Sequence, residues 1–167
     1  STLAPTVTLV DSGELIVGIA GSFNTLLITN GGSVSNTFCR LSWDSHASNN
    51  QAIVTGPNSV WNNSDGLNVG DSGPFNTLLI TNGGSVLAGG NGAAIGYFAS
   101  STNNRLTVAG GTLRATNAGG TAPLDIRRGT SVLNAGLIDV DGLVMTNTLG
   151  LFDFNGGTLV SRGGLIS

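Results

Sequence analysis

Apolar and polar residues alternate in short segments that recur at a fixed spacing along the chain. Residues 23–34 read FNTLLITNGGSV, and residues 75–86 read the same twelve letters. Residues 50–60, NQAIVTGPNSV, lie halfway between the two copies and match them at the apolar positions. The matching sets are Leu26, Ala52 and Leu78, then Ile28, Val54 and Ile80, then Val34, Val60 and Val86. The period is therefore 26 residues, which is typical of solenoids and repeat arrays.

A second apolar motif keeps the same step of 26 residues. It reads LIVG from Leu15, LSWD from Leu41, LNVG from Leu67 and AAIG from Ala93. In this alignment Trp43 stands where the other copies have valine or isoleucine. Two explanations are open: either the coil bulges at Trp43, or Trp43 points outward in a shifted register.

The spacing drifts after residue 100. The LTV of residues 106–108 and the GGTL of residues 110–113 form a further copy of the first motif, and GGTL recurs at 156–159. The LDI of residues 124–126 resembles a fifth copy of the second motif. Repeats near the end of a stack are often atypical because they cap it.

The repeated segments are typical of strands rather than helices. They are short, alternate with a period of two and end at Gly, Asn, Ser or Pro. The 27 glycines would each cost a helix about 1 kcal/mol relative to alanine. The sequence predicts an all-β chain, a parallel β-helix (β-solenoid) of roughly six coils. The predicted single domain covers residues 1–167, with an N-terminal edge strand at 1–12, regular 26-residue repeats at 13–113 and drifted repeats at 114–167.

The turns between the segments favour a solenoid over hairpins. The Asn-Gly pairs at 30–31 and 82–83 are typical of two-residue hairpin turns. The middle copy has Pro57 and Asn58 there, and proline cannot adopt the positive φ of a type I′ turn. A Pro-Asn pair suits a type II turn, which we interpret as a corner, so that equivalent residues stack in parallel strands about 4.8 Å apart.

Residues between the inward positions are predicted to form an apolar strip on the outside. If Leu26 and Ile28 point inward, then Leu27, Ile53 and Leu79 point outward and stack. Exposed apolar strips often mark contact surfaces, and the alternative is that a covering segment buries this strip. The threonines expected to flank it are Thr25, Thr29, Thr55, Thr77 and Thr81.

The composition argues against two classes of partner. Charged residues are only 9% of the chain, lysine is absent, the net charge is −3 and the pI is about 4.7. Nucleic-acid binding needs a basic stripe, so no nucleic-acid partner is expected. The mean hydropathy is +0.25, yet no apolar run approaches the roughly 18–20 residues of a membrane span, so no membrane insertion is expected. Because the chain opens on Ser1 without an apolar signal region, we interpret it as a processed chain or a piece of a larger passenger.

The reactive side chains give no catalytic pattern. A lone Cys39 excludes an intramolecular disulfide, and we interpret it as a buried or corner thiol. The single histidine, His46, is expected in a solvent-facing loop. No paired His or Cys spacing suggests zinc. The sequence therefore predicts no catalytic residue, no metal site and no cofactor.

Three aspartates spaced by 14 residues form the strongest acidic candidate. They are Asp125, Asp139 and Asp153, with Asp141, Arg127 and Arg128 nearby. Asp125 and Asp153 are predicted to lie one coil apart and to stack, and Asp139 shares a strand face with Asp141. Stacked carboxylates could hold Ca²⁺, or with an arginine could serve a polysaccharide-active site. The alternative is an acidic face that is paired with arginines and has no ligand.

The repeats resemble those of a known class of proteins. The units NTLLITNGGSV and QAIVTGPNSVWNNSDGLNVG resemble the repeats of bacterial autotransporter-type passenger and adhesin-like surface proteins, clearly over residues 13–113 and more loosely beyond. The resemblance implies a right-handed parallel β-helix, export to the bacterial cell surface, and a role in adhesion, matrix or surface structure. It implies no catalytic residue.

We therefore expect a non-enzymatic extracellular structural protein whose main partner is itself. Open solenoid ends offer unpaired strand edges, and head-to-tail contacts that do not close build filaments. The segment from Leu3 to Val10 is expected to complete a neighbour's last coil. The predicted self-association residues are Leu3, Val7, Leu9, Leu165, Ile166, Leu27, Ile53 and Leu79. The alternatives are an adhesin module that grips glycans on a flat Asn, Thr and Ser face, and a polysaccharide-active enzyme that uses Asp125, Asp139 and Asp153.

Overall fold

The computed structural model describes residues 8–10 and 13–167, which form sixteen strands and no helix. The strands are β1 (Thr8–Val10), β2 (Glu14–Val17), β3 (Thr25–Ile28), β4 (Ser33–Leu41), β5 (Gln51–Thr55), β6 (Val60–Val69), β7 (Thr77–Thr81), β8 (Ser85–Ala88), β9 (Gly92–Ile95), β10 (Asn104–Ala115), β11 (Pro123–Ile126), β12 (Gly129–Val140), β13 (Gly142–Met145), β14 (Leu151–Phe154), β15 (Thr158–Ser161) and β16 (Gly164–Ile166). Accordingly, no helix of the described residues could span a membrane. Leu3 and Val7 lie outside the described residues.

The strands form a solenoid of about six turns with three faces. All strand pairs are parallel, and each joins a strand to its equivalent in the next coil. Face A consists of β3, β5, β7, the first halves of β10 and β12, and β14. Face B consists of β1, the first halves of β4 and β6, β8, the second halves of β10 and β12, and β15. Face C consists of β2, the second halves of β4 and β6, β9, β11, β13 and β16.

The core is built of apolar stacks that run along the solenoid axis. On face A the stack is Ile28, Val54, Ile80, Val108, Leu133 and Phe154. The steps within it are 26, 26, 28, 25 and 21 residues, so the period is roughly 25 rather than a strict 26. Each coil adds one residue to every stack, and neighbouring coils complete the core because a single coil buries little surface alone.

On face B the predicted match of Val34 with Val60 is wrong by one residue. Val34 pairs with Trp61, and Trp61 pairs with Val86. Trp61 is fully buried, and its Nε1 donates a hydrogen bond to Oδ1 of Asn36 at 2.9 Å. The cause is one extra residue in the corner between β5 and β6, which shifts the register before the strand starts.

That corner has the predicted turn. The N–H of Ser59 donates to the carbonyl oxygen of Gly56 at 3.2 Å, and Asn58 has a φ of 63°, as a type II turn requires after Pro57. Residues 30–31 also make a corner, although both have positive φ, because β3 and β4 pair with the next coil rather than with each other. The expectation of corners instead of hairpins is confirmed.

On face C the second alternative for Trp43 is correct. Leu15 pairs with Cys39 and Val17 with Leu41, so Trp43 lies outside the stack with 46% of its surface exposed. The register shift has a second source, because three residues of β6 face two of β4 between Asn36 and Phe38. The step from β4 to β6 therefore grows along the coil, and the match of LSWD with LIVG is wrong by two residues.

A ladder of asparagine side chains closes the corner that precedes face A. Its members are Asn24, Asn50, Asn76 and Asn104, and the last three are buried. Each side-chain oxygen accepts the backbone N–H of the asparagine in the coil before, at 2.7 to 3.0 Å. The ladder packs against glycine: a Cβ on Gly70, whose φ is +76°, would stand 2.1 Å from Cγ of Asn104.

Candidate functional site

A groove of about 650 Å³ runs across the outer surface of face C. Its lining residues are Phe38, Arg40, Asp65, Asn68, Asn91, Gly92, Ala93, Ala94, Tyr97, Phe98, Pro123, Asp125 and Arg127. They belong to four neighbouring coils, so the groove spans three strand spacings, about 14 Å. Outward-facing Ala94 forms the floor because it is small, and its register neighbours Asn68 and Asp125 rise beside it.

The first wall of the groove is organised around Arg40. Its guanidinium is ion-paired with Glu14 and, at 2.6 Å, with Asp71, and it lies 4.7 Å from the ring centre of Phe38. Burial lowers the pKa of Arg40, but the hydrogen bonds to both carboxylates outweigh it and leave the pKa raised. Arg40 is thus a fixed cation whose charge is already balanced.

The opposite wall carries the aromatic side chains. The rings of Tyr97 and Phe98 meet edge to face with their centres 5.0 Å apart, and half of Phe98 is exposed. The guanidinium of Arg127 lies 4.2 Å from the ring centre of Tyr97, and its Nε donates to Oδ2 of Asp125 at 2.7 Å. Oδ1 of Asp125 is buried and has no hydrogen-bond partner among the described residues. This wall therefore offers flat apolar surface beside an unused acceptor.

The remaining polar groups of the groove are held in place by neighbouring coils. Nδ2 of Asn91 donates to Oδ1 of Asp65 at 2.8 Å, and Nδ2 of Asn68 donates to Oδ1 of Asp71 at 2.6 Å. Gly66 leaves room for the wall, since a Cβ there would stand 2.9 Å from the ring of Phe38. The polar groups are therefore oriented before any ligand arrives.

The three aspartates predicted to act together lie on three different faces. Asp125 pairs with Ala94 and Val144 on face C. Asp139 pairs with Arg114 on face B, and Asp153 pairs with Val132 on face A. The expectation that Asp125 and Asp153 stack is wrong, because a step of 14 residues is just over half a coil and carries the chain to another face. Within residues 8–10 and 13–167 no three His, Cys, Asp or Glu side chains gather as a metal site would require.

Asp139 and Asp141 are held by arginines and backbone, and they lie outside the groove. Nη1 of Arg162 donates to Oδ1 of Asp139 at 2.7 Å, and Arg114 donates to its other oxygen at 3.1 Å. The hydrogen bond from Arg162 lowers the pKa of Asp139. Oδ2 of Asp141 accepts two backbone N–H groups, from residues 117 and 122. The alternative of arginine-paired carboxylates fits these contacts.

Cys39 and His46 are far apart in character. Cys39 is fully buried in the stack of face C, and burial raises the pKa of its thiol well above the usual value. His46 is exposed, and its Nδ1 lies 2.9 Å from Oδ1 of Asp44. The interpretation of Cys39 as a buried thiol and of His46 as a surface residue is confirmed.

The predicted outer strip exists on face A. Leu27, Ile53 and Leu79 are aligned in register, and the series continues to Thr107. Leu27 is 56% exposed and the other two leucine and isoleucine side chains are half-buried. Of the predicted self-association residues at the ends, Leu9 pairs with Val34 of its own chain, while Leu165 and Ile166 are exposed on β16.

The chain shows the solenoid by its structure alone. A comparison with family models, with curated proteins and with solved structures finds no match. The aromatic wall of the groove was missed from the sequence because Phe38, Tyr97 and Phe98 belong to different coils. The available signal was the outward position of Phe38 and Arg40, which alternate with core residues of β4.

Proposed function

We propose that this chain is a non-enzymatic, extracellular recognition module of adhesin type, and that it binds a glycan in the groove of face C. The observation that carries the proposal is the exposed aromatic wall of Tyr97 and Phe98 beside the unpartnered Oδ1 of Asp125. A sugar has both an apolar C–H face and a ring of hydroxyls. Such a ligand needs flat apolar surface and a few oriented polar groups at the same site.

The length and preorganisation of the groove support an oligosaccharide. A path of about 14 Å over four coils accommodates more than one sugar ring. The fixed carboxylates and amides of Asp65, Asn68 and Asn91 lie along it and lose little freedom on binding. The resemblance to adhesin-like repeats points in the same direction and also motivates the proposed location at the bacterial surface.

The experiment is a glycan array with the purified chain, followed by calorimetric titration with each hit. Phe98→Ala removes an exposed ring, and Asp125→Asn removes charge at constant shape. Both are expected to weaken binding by roughly tenfold. Asp153→Asn on face A is the matched control and should bind like the parent chain.

Two results would overturn the proposal. One is an array without hits, or hits that Phe98→Ala and Asp125→Asn leave unchanged. The other is the release of new reducing ends from a bound glycan, with loss of that release in Asp125→Asn, which would make the chain an enzyme.

Self-assembly along the solenoid axis is a second candidate, favoured by the last described coil. Phe154 is 56% exposed, whereas its stack neighbour Leu133 is fully buried, and Ile166 is exposed at the same end. A further coil would cover these side chains, whether it belongs to the same polypeptide or to a second copy. We propose that a second copy can serve, with Thr8–Val10 at the opposite end presenting its open edge.

Negative-stain electron microscopy at several concentrations tests this candidate. Uniform filaments that disappear in Leu165→Ser/Ile166→Ser and on deletion of residues 1–10 are expected. Short monomeric rods at every concentration would contradict it, and so would filaments that the deletion leaves unchanged.

A further inference from the structure

One corner of the solenoid combines backbone strain with exposed aromatic rings. Residues 23, 49, 75 and 103 occupy equivalent places, directly before the asparagine ladder. All four have left-handed backbone, with φ of 62° at Phe23, 57° at Asn49, 60° at Phe75 and 57° at Asn103. The fold therefore demands the same unusual conformation in four successive coils.

The fold explains the asparagines at this corner but not the phenylalanines. Asparagine adopts the left-handed region comparatively easily, whereas a bulky residue there is a genuine outlier. The core does not require the two rings either, because 78% of Phe23 and 51% of Phe75 are exposed. Strain that is retained without a packing benefit is typical of ligand clamps.

The two rings border a groove on face A. Its volume is about 310 Å³, and it is lined by Phe23, Thr25, Asn49, Gln51, Phe75 and Thr77. The phenylalanines lie two coils apart, about 10 Å, with an amide-bearing coil between them. No charged side chain lines this groove among the described residues.

The two borders are chemically equal. Stacking requires likeness only at inward positions, such as Leu26 and Leu78. The identical segments 23–34 and 75–86 also repeat the outward residues, namely phenylalanine, threonine and the leucines Leu27 and Leu79. The outer surface thus presents the same contact twice, with a spacing of about 10 Å.

We propose that this groove is a second binding site, which takes a neutral, linear polysaccharide with one sugar on each phenylalanine. The rings offer surface for the C–H faces of two sugars, and Asn49 and Gln51 between them offer donors and acceptors for hydroxyls. An acidic polymer would meet a chain of net charge −3 without a cation in the groove. The proposal shares the glycan class of the proposed function but not its residues, so either can fail alone.

The test is calorimetric titration with cellohexaose and chitohexaose as neutral probes and an oligogalacturonide as the acidic probe. The key variant is Phe23→Asn/Phe75→Asn, which installs the residue that the other two coils already use. It should keep or raise the Tm and lose roughly tenfold or more of the affinity for a neutral probe. Ile19→Asn removes an exposed apolar side chain elsewhere and should leave that affinity unchanged.

The face C groove is separated from this site by Phe98→Ala, which should leave binding of the neutral probe at face A intact. The proposal is overturned if neither neutral probe binds, if the oligogalacturonide binds as well as they do, or if the double asparagine variant keeps full affinity. A fall in Tm with unchanged binding would show that the rings are structural. Loss of self-association in place of glycan binding would show that a second copy occupies the groove.

Discussion

Oδ1 of Asn104 accepts two hydrogen bonds from Asn76 in the preceding coil, from the backbone N–H at 2.7 Å and from Nδ2 at 3.1 Å. Nδ2 of Asn76 also donates to Oγ of Ser42 and to the carbonyl oxygen of Gly73. All these groups are buried, so they depend on one another for hydrogen bonding. The asparagine ladder is therefore the polar counterpart of the apolar stacks.

Asn76→Ala is expected to lower the free energy of unfolding by about 3 kcal/mol. The substitution removes the acceptor of the Asn50 N–H and leaves Oδ1 of Asn104 with fewer donors, and buried unsatisfied groups cost about 1–3 kcal/mol each. Urea unfolding measures the change. Asn62→Ala, an exposed asparagine on β6, is the control and should stay within about 0.5 kcal/mol of the parent. Equal losses in both variants would refute a special role for the ladder.

Trp61→Val is expected to cost about 3 kcal/mol or more, although valine occupies the same stack at Val34 and Val86. The smaller side chain leaves a cavity, and Oδ1 of Asn36 loses its indole donor. Trp43→Val is the control, because Trp43 is partly exposed and only stacks on Arg40, and it should cost under about 1 kcal/mol. Urea unfolding followed by circular dichroism decides between these values.

The ion pair between Arg162 and Asp139 makes stability depend on pH. Because the pKa of Asp139 is lowered in the fold, its contribution is present above the unfolded value of about 3.9 and is lost as the pH falls through the folded value. Arg162→Gln should therefore destabilise the protein at pH 6, and the difference from the parent should shrink towards pH 2. Arg105→Gln alters an arginine bound only to Thr107 and serves as the control. A destabilisation by Arg162→Gln that is constant across this pH range would contradict the assignment.

Cys39 should report on unfolding. Burial both shields the thiol and raises its pKa, so the thiolate that reacts with disulfide reagents is scarce in the folded chain. We expect no reaction with Ellman's reagent at pH 8 in native buffer and one thiol per chain in guanidinium chloride. Rapid reaction in native buffer would show that the stack of face C opens locally near β4.

The inward and outward assignments came from the local pattern of residues. Leu26 and Ile28 are in the core and Leu27 is outside, as alternation predicts, and the corner at Pro57 follows from the fixed φ of proline. Alignment by a fixed period failed at Val60, since a one-residue insertion in a corner leaves the alternation on either side undisturbed. The register shift within β4 and β6 escaped for the same reason.

The groove of face C could not be predicted because its residues come from four coils. Phe38, Asp65, Tyr97 and Asp125 are up to 87 positions apart in sequence, and none carries a motif. Asp125 was identified as a candidate, but its predicted partner Asp153 lies on another face. The strain at Phe23 and Phe75 was equally invisible, because φ is a property of the folded corner.

The amino-acid sequence by itself determined that this chain is a stack of parallel coils, because the pleat of a strand sets inside and outside with a period of two and the repeats set what lies above each residue. The tertiary structure decided which side chains share a face. Lateral position depends on the summed length of every preceding strand and corner, so single insertions separate Asp125 from Asp153, bury Trp61 and expose Trp43. Both candidate grooves arise from that lateral placement.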